Sequence, residues 1–305
     1  MSAVAEVEVP VWRFYRVRVA QVRRLSPSFV RVTLTGDDLD AIADNGYDQR
    51  VKLLLPARQG GFAHLPSGPT WYAAWRQLPD HRRPPIRTYT VRAVRPAVRE
   101  VDIDMVLHGD TGPASRFAAR AVPGDEAMLL GPNAEHDGVH GGLEFRPPAG
   151  HVGPTLLAGD ETAVPALLSI LAALPAEAHG EAVLEVPDAR DITDVGVPSG
   201  VRVTWVVRAE GASSLPGAVR DAVRRLGLDD GPQGDEAADE ALGDEPLWDV
   251  PEQARLGDGP AGVYAWLAGE SSVITGLRRY LVRDLGVDRG GVAFMGYWRR
   301  GRAEC

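Results

Sequence analysis

The spacing of apolar residues changes once, midway along this 305-residue chain, and that change limits the fold more than any other feature. Over 14–22, 29–35, 51–55, 88–94 and 101–108, apolar and polar side chains alternate in short runs divided by Gly, Pro and Asp clusters. A period of two sends successive side chains to opposite faces of a strand. Only one short helix is expected in this half, over 113–121. Many short strands with little helix predict an antiparallel Greek-key β-barrel. From Thr155 onward the period lengthens: strands are expected over 155–158, 182–186, 201–207, 263–268 and 291–297, with helices over 162–174, 215–226 and 272–285. In the first helix Pro165 falls in the opening turn, where its missing N–H is not needed, and Leu167, Leu168, Leu171 and Leu174 share a face. Strand alternating with helix predicts an α/β domain on an open parallel sheet. The boundary is expected in the Pro/Gly-rich stretch 147–154, which gives domains over 1–150 and 151–305.

Composition removes several chemistries. The only cysteine is the last residue, Cys305, so an intrachain disulfide and a four-thiolate iron–sulfur cluster are both excluded, and redox work would need an organic cofactor. No apolar run approaches the roughly 20 residues of a membrane span. The first ten residues lack the basic start and apolar stretch of a secretory signal, so a cytoplasmic protein with no membrane partner is expected. Charge is concentrated in one place. Residues 229–258 hold eleven acids and one base, a net of −10 against −9 for the whole chain, so the remainder is close to neutral. The stretch 229–260 is also rich in Gly, Pro and Ala, and is expected to be a mobile surface excursion in which Leu247 and Trp248 dock locally. No basic tract suited to nucleic acid is present. Lys52 is the only lysine beside 32 arginines.

Two motifs in the first half carry chemistry. Arg87-Thr88-Tyr89-Thr90-Val91-Arg92 lies on an expected strand, with Arg87 and Tyr89 on one face and Thr88 and Thr90 on the other. A flavin site needs a cation for phosphate, an aromatic face for the ring and a hydroxyl near its edge, and this run offers all three. An ordinary exposed strand has the same Thr/Tyr/Val composition. About twenty residues on, a strand ends at His108, Gly109 and Gly112 permit a tight turn, and Pro113-Ala114-Ser115 opens a helix. The backbone N–H groups of a helix mouth suit a diphosphate, although a plain β–α turn would use the same residues.

In the second half, Gly159-Asp160-Glu161-Thr162 follows a strand and opens a helix. It lacks the Gly-x-Gly-x-x-Gly fingerprint, so Asp160 and Thr162 read either as helix caps or as part of a dinucleotide site. Guanidinium groups suit the 2′-phosphate of NADPH, and Arg190 and Arg208, which follow the second and third strands, are the candidates for it. Lys52, Arg278, Arg279, Arg299 and Arg300 could form a basic rim for an anionic acceptor.

Arg-x-Tyr-Thr followed by His-Gly-x-x-Gly-Pro-Ala-Ser resembles the FAD domain of siderophore-interacting proteins, a branch of the ferredoxin-reductase superfamily. The resemblance continues through Leu156 to Ala166, resumes at Trp266-Leu267-Ala268-Gly269-Glu270, passes Leu277 to Leu281 and ends at Gly296-Tyr297-Trp298-Arg299-Arg300-Gly301. It implies an N-terminal FAD barrel and a C-terminal NADPH or NADH domain. Arg87 would meet the flavin phosphates, Tyr89 would stack on the isoalloxazine and Thr90 would approach its N5 edge. His108, Gly109, Gly112, Ala114 and Ser115 would line the ribityl chain and diphosphate. Asp160, Glu161, Thr162 and Glu270 would serve the nicotinamide cofactor, and Lys52, Arg278, Arg299 and Arg300 the acceptor. The implied reaction passes hydride from NAD(P)H to FAD and then single electrons to a ferric siderophore, which needs no catalytic acid or base. Two other readings stay open: a reductase serving a protein acceptor such as ferredoxin, and a siderophore carrier without turnover.

Overall fold

The computed structural model describes residues 9–107, 112–211, 213–228, 248–250 and 262–301. Of the acidic stretch 229–260, only 248–250 fall within the described residues. The chain divides into two compact units. The first takes in the residues up to Leu25, Phe29–Asn45 and Gln49–Gly142; the second comprises Ser26–Ser28, Gly46–Asp48 and the residues from Leu143 on.

The first unit is the expected barrel. Strands β1 (Trp12–Arg24), β2 (Phe29–Thr35), β3 (Arg50–Leu54), β4 (Ile86–Arg95), β5 (Glu100–Val106) and β6 (Glu126–Pro132) close in the order β1-β2-β5-β4-β3-β6. All six pairings are antiparallel. Closure leaves no unpaired edge, and the inward residues, among them Tyr15, Val32, Leu34, Val51, Leu53, Ile103 and Leu129, fill the interior. Outside the barrel, Arg31 grips Asp104 at 2.6 and 2.8 Å and Arg95 grips Asp102 at 2.7 Å, cross-strand pairs that reinforce the register. Helix α2 (Pro113–Arg120) lies where a helix was expected, and buries Ala114 and Ala118. One more helix is present, α1 (Trp71–Arg76), whose single buried residue, Trp75, bonds its indole to Pro84 O at 2.9 Å. Six residues with one buried side chain carry no helical period, so nothing in the pattern announces it.

The second unit is the expected α/β domain. Strands β7 (Thr155–Gly159), β8 (His179–Val186), β9 (Gly200–Val207), β11 (Tyr264–Glu270) and β12 (Val292–Trp298) are parallel, and β10 (Trp248–Asp249) adds antiparallel to β12. Their order is β10-β12-β11-β7-β8-β9. Among the described residues, its α-helices are α3 (Val164–Ala173), α4 (Leu215–Arg225) and α5 (Ser271–Arg279). The helix expected over 272–285 ends instead in a π-helical turn, Tyr280–Asp284. The central strands are buried along their whole length, which explains their continuous apolar runs. The chain lays β8 and β9 on one side of β7, then returns to lay β11 and β12 on the other. Strand order therefore reverses between β7 and β11, and ligands of such sheets bind beyond the carboxyl ends of the strands at that switch point.

Candidate functional site

In the barrel, the β3–β4 register sets Thr88 opposite Lys52 and Tyr89 opposite Val51. Lys52 Nζ donates to Thr88 Oγ1 at 2.6 Å on the exposed face. Arg87 and Tyr89 point the other way and are half-buried. Tyr89 packs with Phe117 of α2 against the barrel core, and Arg87 Nη1 donates to Ile86 O at 2.8 Å. Thr90 is buried, at 8% exposure. Beyond β5, α2 opens on an extended Gly112 with Pro113 next, and the N-cap glycine brings no side-chain cap of its own. A Cβ added at Gly112 would meet nothing within 4 Å, so there is room before the helix mouth. Ala114 is buried against the core and Ser115 is half-buried beside it. An aromatic face, a guanidinium and a glycine-led helix mouth are the donor set a flavin diphosphate requires, and these residues fit FAD. His108 and Gly109 lie outside the described residues.

At the switch point, Asp160 ties together three elements. Its Oδ1 accepts from Thr162 N at 2.9 Å and Thr162 Oγ1 at 2.5 Å; its Oδ2 accepts from Glu270 N at 2.7 Å and Trp298 Nε1 at 2.8 Å. Burial pushes the Asp160 pKa up, against the donors that favour its ionised form. Glu270 caps α5, accepting from Ser272 N at 2.9 Å, Ser272 Oγ at 2.5 Å and Val273 N at 3.1 Å, and its other oxygen takes Arg300 N at 3.2 Å. Burial would raise the pKa of Glu270, but these hydrogen bonds prevail and lower it. Asp160, Thr162, Glu270 and the Arg300 backbone thus meet beyond the carboxyl ends of β7, β11 and β12, where the two carboxylates tie these segments together. Trp298 and Gly269 belong to this construction too; both stood in the quoted motifs, but nothing in the sequence pairs them with Asp160.

Glu161 turns elsewhere. It is buried and bound by Arg208, which also holds Glu185. The two carboxylates raise the Arg208 pKa further. Arg190 is locked onto Asp188 at 2.9 and 2.7 Å. Among the rim candidates, Arg300 is exposed and Arg299 half-buried, whereas Arg278 is 7% exposed with its guanidinium 4.6 Å from the Phe294 ring centre. Arg278 packs into the second unit's core, because its position on α5 faces the sheet, and it does not stand on a solvent-facing rim.

A barrel with a flavin-type strand and helix mouth, joined in one chain to a doubly wound sheet, defines a flavin-dependent oxidoreductase. Comparison with known proteins makes this specific. Residues 18–136 match the siderophore-interacting FAD-binding domain and residues 153–301 match the siderophore-interacting protein domain, and the chain belongs to the siderophore-interacting protein family. It is 29% identical to the ferric vibriobactin reductase ViuB of Vibrio cholerae, over 92% of this chain and 87% of that protein. It is 36% identical to an NADPH-dependent ferric-chelate reductase of Escherichia coli, over 39% of this chain and 45% of that one. The crystal structure of the siderophore-interacting protein SipS from Aeromonas hydrophila superposes with a TM-score of 0.64 at 31% identity, covering 96% and 94% of the two chains.

Proposed function

We propose that this protein is an NAD(P)H-dependent ferric-siderophore reductase that releases iron as Fe(II) in the cytoplasm. The observation that carries the reading is the pairing, in one chain, of the Arg87–Tyr89 strand and the glycine-led α2 mouth with a strand-order switch point at Asp160 and Glu270. FAD, when bound, supplies the conversion between two-electron uptake from a nicotinamide and one-electron delivery to iron. The chain's own tasks are binding and orientation. Arg87 and the amides of α2 neutralise the diphosphate, Tyr89 gives the ring a half-buried aromatic surface, and Thr90 presents a buried hydroxyl. In the second unit, the Asp160 clamp fixes the ends of β7, β11 and β12 where the nicotinamide would lie. Lys52 in the first unit, and separately Arg299 and Arg300 in the second, offer cationic side chains that would attract an anionic ferric complex. Names among the relatives favour a ferric chelate as acceptor over a ferredoxin. The test is stopped-flow absorbance on the FAD-loaded protein. Bleaching by NADH or NADPH, followed by reoxidation with a ferric siderophore and trapping of Fe(II), supports the proposal. Bleaching with reoxidation only by an oxidised ferredoxin, or no bleaching at all, rejects it.

A further inference from the structure

We propose that this chain takes NADH in preference to NADPH, because both arginines available to a 2′-phosphate beyond β8 and β9 are already held by carboxylates. The inference rests on the reading of the second unit as a nicotinamide domain.

In a doubly wound sheet the pyrophosphate lies over the first strand–helix turn and the adenosine ribose reaches the carboxyl end of the second strand. There an acid accepts a hydrogen bond from the ribose 2′-hydroxyl of NAD, or an arginine receives the 2′-phosphate of NADP. In this unit β7 is first, β8 second and β9 third. Arg190 is the one cation in the segment 187–199 after β8, and Arg208 the one cation in the segment 208–214 after β9.

Both are paired with carboxylates, Arg208 through every nitrogen and Arg190 in an exposed pair. The β8–β9 register pairs Glu185 with Val206 and Val186 with Val207, which brings Arg208 beside the end of β8. Arg208 Nε and Nη2 donate to Glu185 Oε1 at 3.0 and 2.8 Å, Nη1 donates to Glu161 Oε1 at 3.0 Å, and Nη2 also meets Glu161 Oε2. Each guanidinium nitrogen thus serves a carboxylate. Glu161 is buried, so withdrawing Arg208 toward a phosphate would leave a charge in the interior without its partner, which is strongly unfavourable. Glu185 is fixed as well, since its Oε2 accepts from Leu215 N, at the start of α4, at 3.1 Å. Arg190 is held bidentate by Asp188, whose backbone N–H in turn donates to buried Asp191 at 3.1 Å. Four acids, Glu161, Glu185, Asp188 and Asp191, thus face two arginines. The balance is negative at the place where a 2′-phosphate would add about two further negative charges, like phosphorylation of a hydroxyl. A 2′-hydroxyl, by contrast, can donate to Glu185 or Asp188.

Calorimetric titration of the FAD-loaded protein with NAD+ and NADP+, and with 5′-AMP and adenosine 2′,5′-bisphosphate, tests this without turnover. NAD+ should bind at least about tenfold more tightly than NADP+, and the 2′-phosphate should weaken the adenosine ligand in the same sense. The double variant Glu185→Gln, Asp188→Asn keeps the shape of both side chains, removes the charge of Arg190's partner and leaves Arg208 with Glu161 as its one carboxylate. It should improve NADP+ binding by about tenfold and leave NAD+ binding equal or weaker. If the double variant melts early, the wild-type comparison decides alone. NADP+ binding as tightly as NAD+ to the wild type overturns the inference and leaves the nicotinamide domain standing. Binding of neither nucleotide overturns both.

Discussion

Replacing Asp160 with Asn should weaken the second unit measurably, even though the two side chains are nearly the same size. The carboxylate receives four hydrogen bonds, two on each oxygen, and faces only donors. In Asn one oxygen becomes an NH2 group. Turned toward Glu270 and Trp298, that group confronts a backbone N–H and an indole N–H, neither of which can move. Turned toward Thr162, it confronts one backbone N–H and a hydroxyl that can rotate to accept. The second orientation is preferred and leaves one buried N–H without an acceptor, while the remaining bonds lose their ionic character. Hydrogen bonds to a charged group contribute about 1.5–3 kcal/mol each, and a stranded donor costs about 1–3 kcal/mol. Relief from burying a charge offsets part of this. The net loss should be about 2–3 kcal/mol, or a fall in Tm of about 4–12 °C for a unit of this size. Asp160→Ala, which strands the donors of all three elements, should lose about 3–5 kcal/mol. Melting followed by circular dichroism measures the loss, and Trp298 emission should shift to the red as its indole is released. Unchanged melting in both variants would refute the clamp.

The Glu270 cap sets a pH dependence. Its folded pKa lies below the ordinary 4.5, so its stabilisation is present above that value and drains as pH falls through the folded pKa. Wild type should therefore lose stability below about pH 4.5 more steeply than Glu270→Gln, and parallel acid melts of the two would contradict this. Arg87→Ala should purify with little flavin, read from the ratio of visible to ultraviolet absorbance, and full occupancy would remove Arg87 from the diphosphate site. Lys52→Ala should raise KM for an anionic ferric siderophore and leave flavin bleaching by NAD(P)H intact. That effect should shrink as salt rises toward 0.1 M and beyond, where the screening length falls to about 10 Å. Equal slowing with a neutral ferric complex would make Lys52 structural instead.

What could be read from the sequence followed from how each residue is surrounded. In strands such as β1 and β5 apolar residues alternate with polar ones, even where, as at Asp102 and Asp104, the polar side chains are buried in ion pairs, so the period of two is plain. Strand β6 escaped notice because Ala127, Met128, Leu129 and Leu130 are all buried, two by the barrel core and two beneath a second apolar layer with Phe14 and Trp71, which erases the alternation. In the second unit, strands buried on both faces and helices with one apolar stripe were equally plain. The π-helical turn was hidden because Leu277, Leu281 and Leu285 continue the spacing of an uninterrupted helix. Site residues could be nominated by type, but their partners could not. Asp160 finds Trp298 across 138 positions and Arg208 finds Glu161 across 47, distances at which only the completed fold brings side chains together. Arg208 therefore read either as a candidate for a phosphate or as an ordinary surface arginine, and only the structure shows it occupied by acids.

The missing glycine fingerprint has the same origin. A dinucleotide crevice needs close approach of strand, helix and ligand, and the usual motif concentrates the required glycines in one loop. Here the requirement is met from two strands. A Cβ on Gly159 would lie 2.5 Å from Ala163 Cβ and 2.6 Å from Ala268 O, so β7 can pass α3 and β11 this closely only as glycine. Gly269 has φ +148°, and a Cβ there would lie 2.6 Å from Asp160 Oδ2, inside the clamp itself. The two glycines flank the switch point from opposite sides, 110 positions apart in the chain. Each is preceded by Ala and followed by an acid whose carboxylate bonds the next helix: Asp160 to Thr162 N ahead of α3, Glu270 to Ser272 N in α5. The paired Ala-Gly-acid turns are thus one device used twice, and the close approach of strands at the switch point arises without any local sequence that spells it.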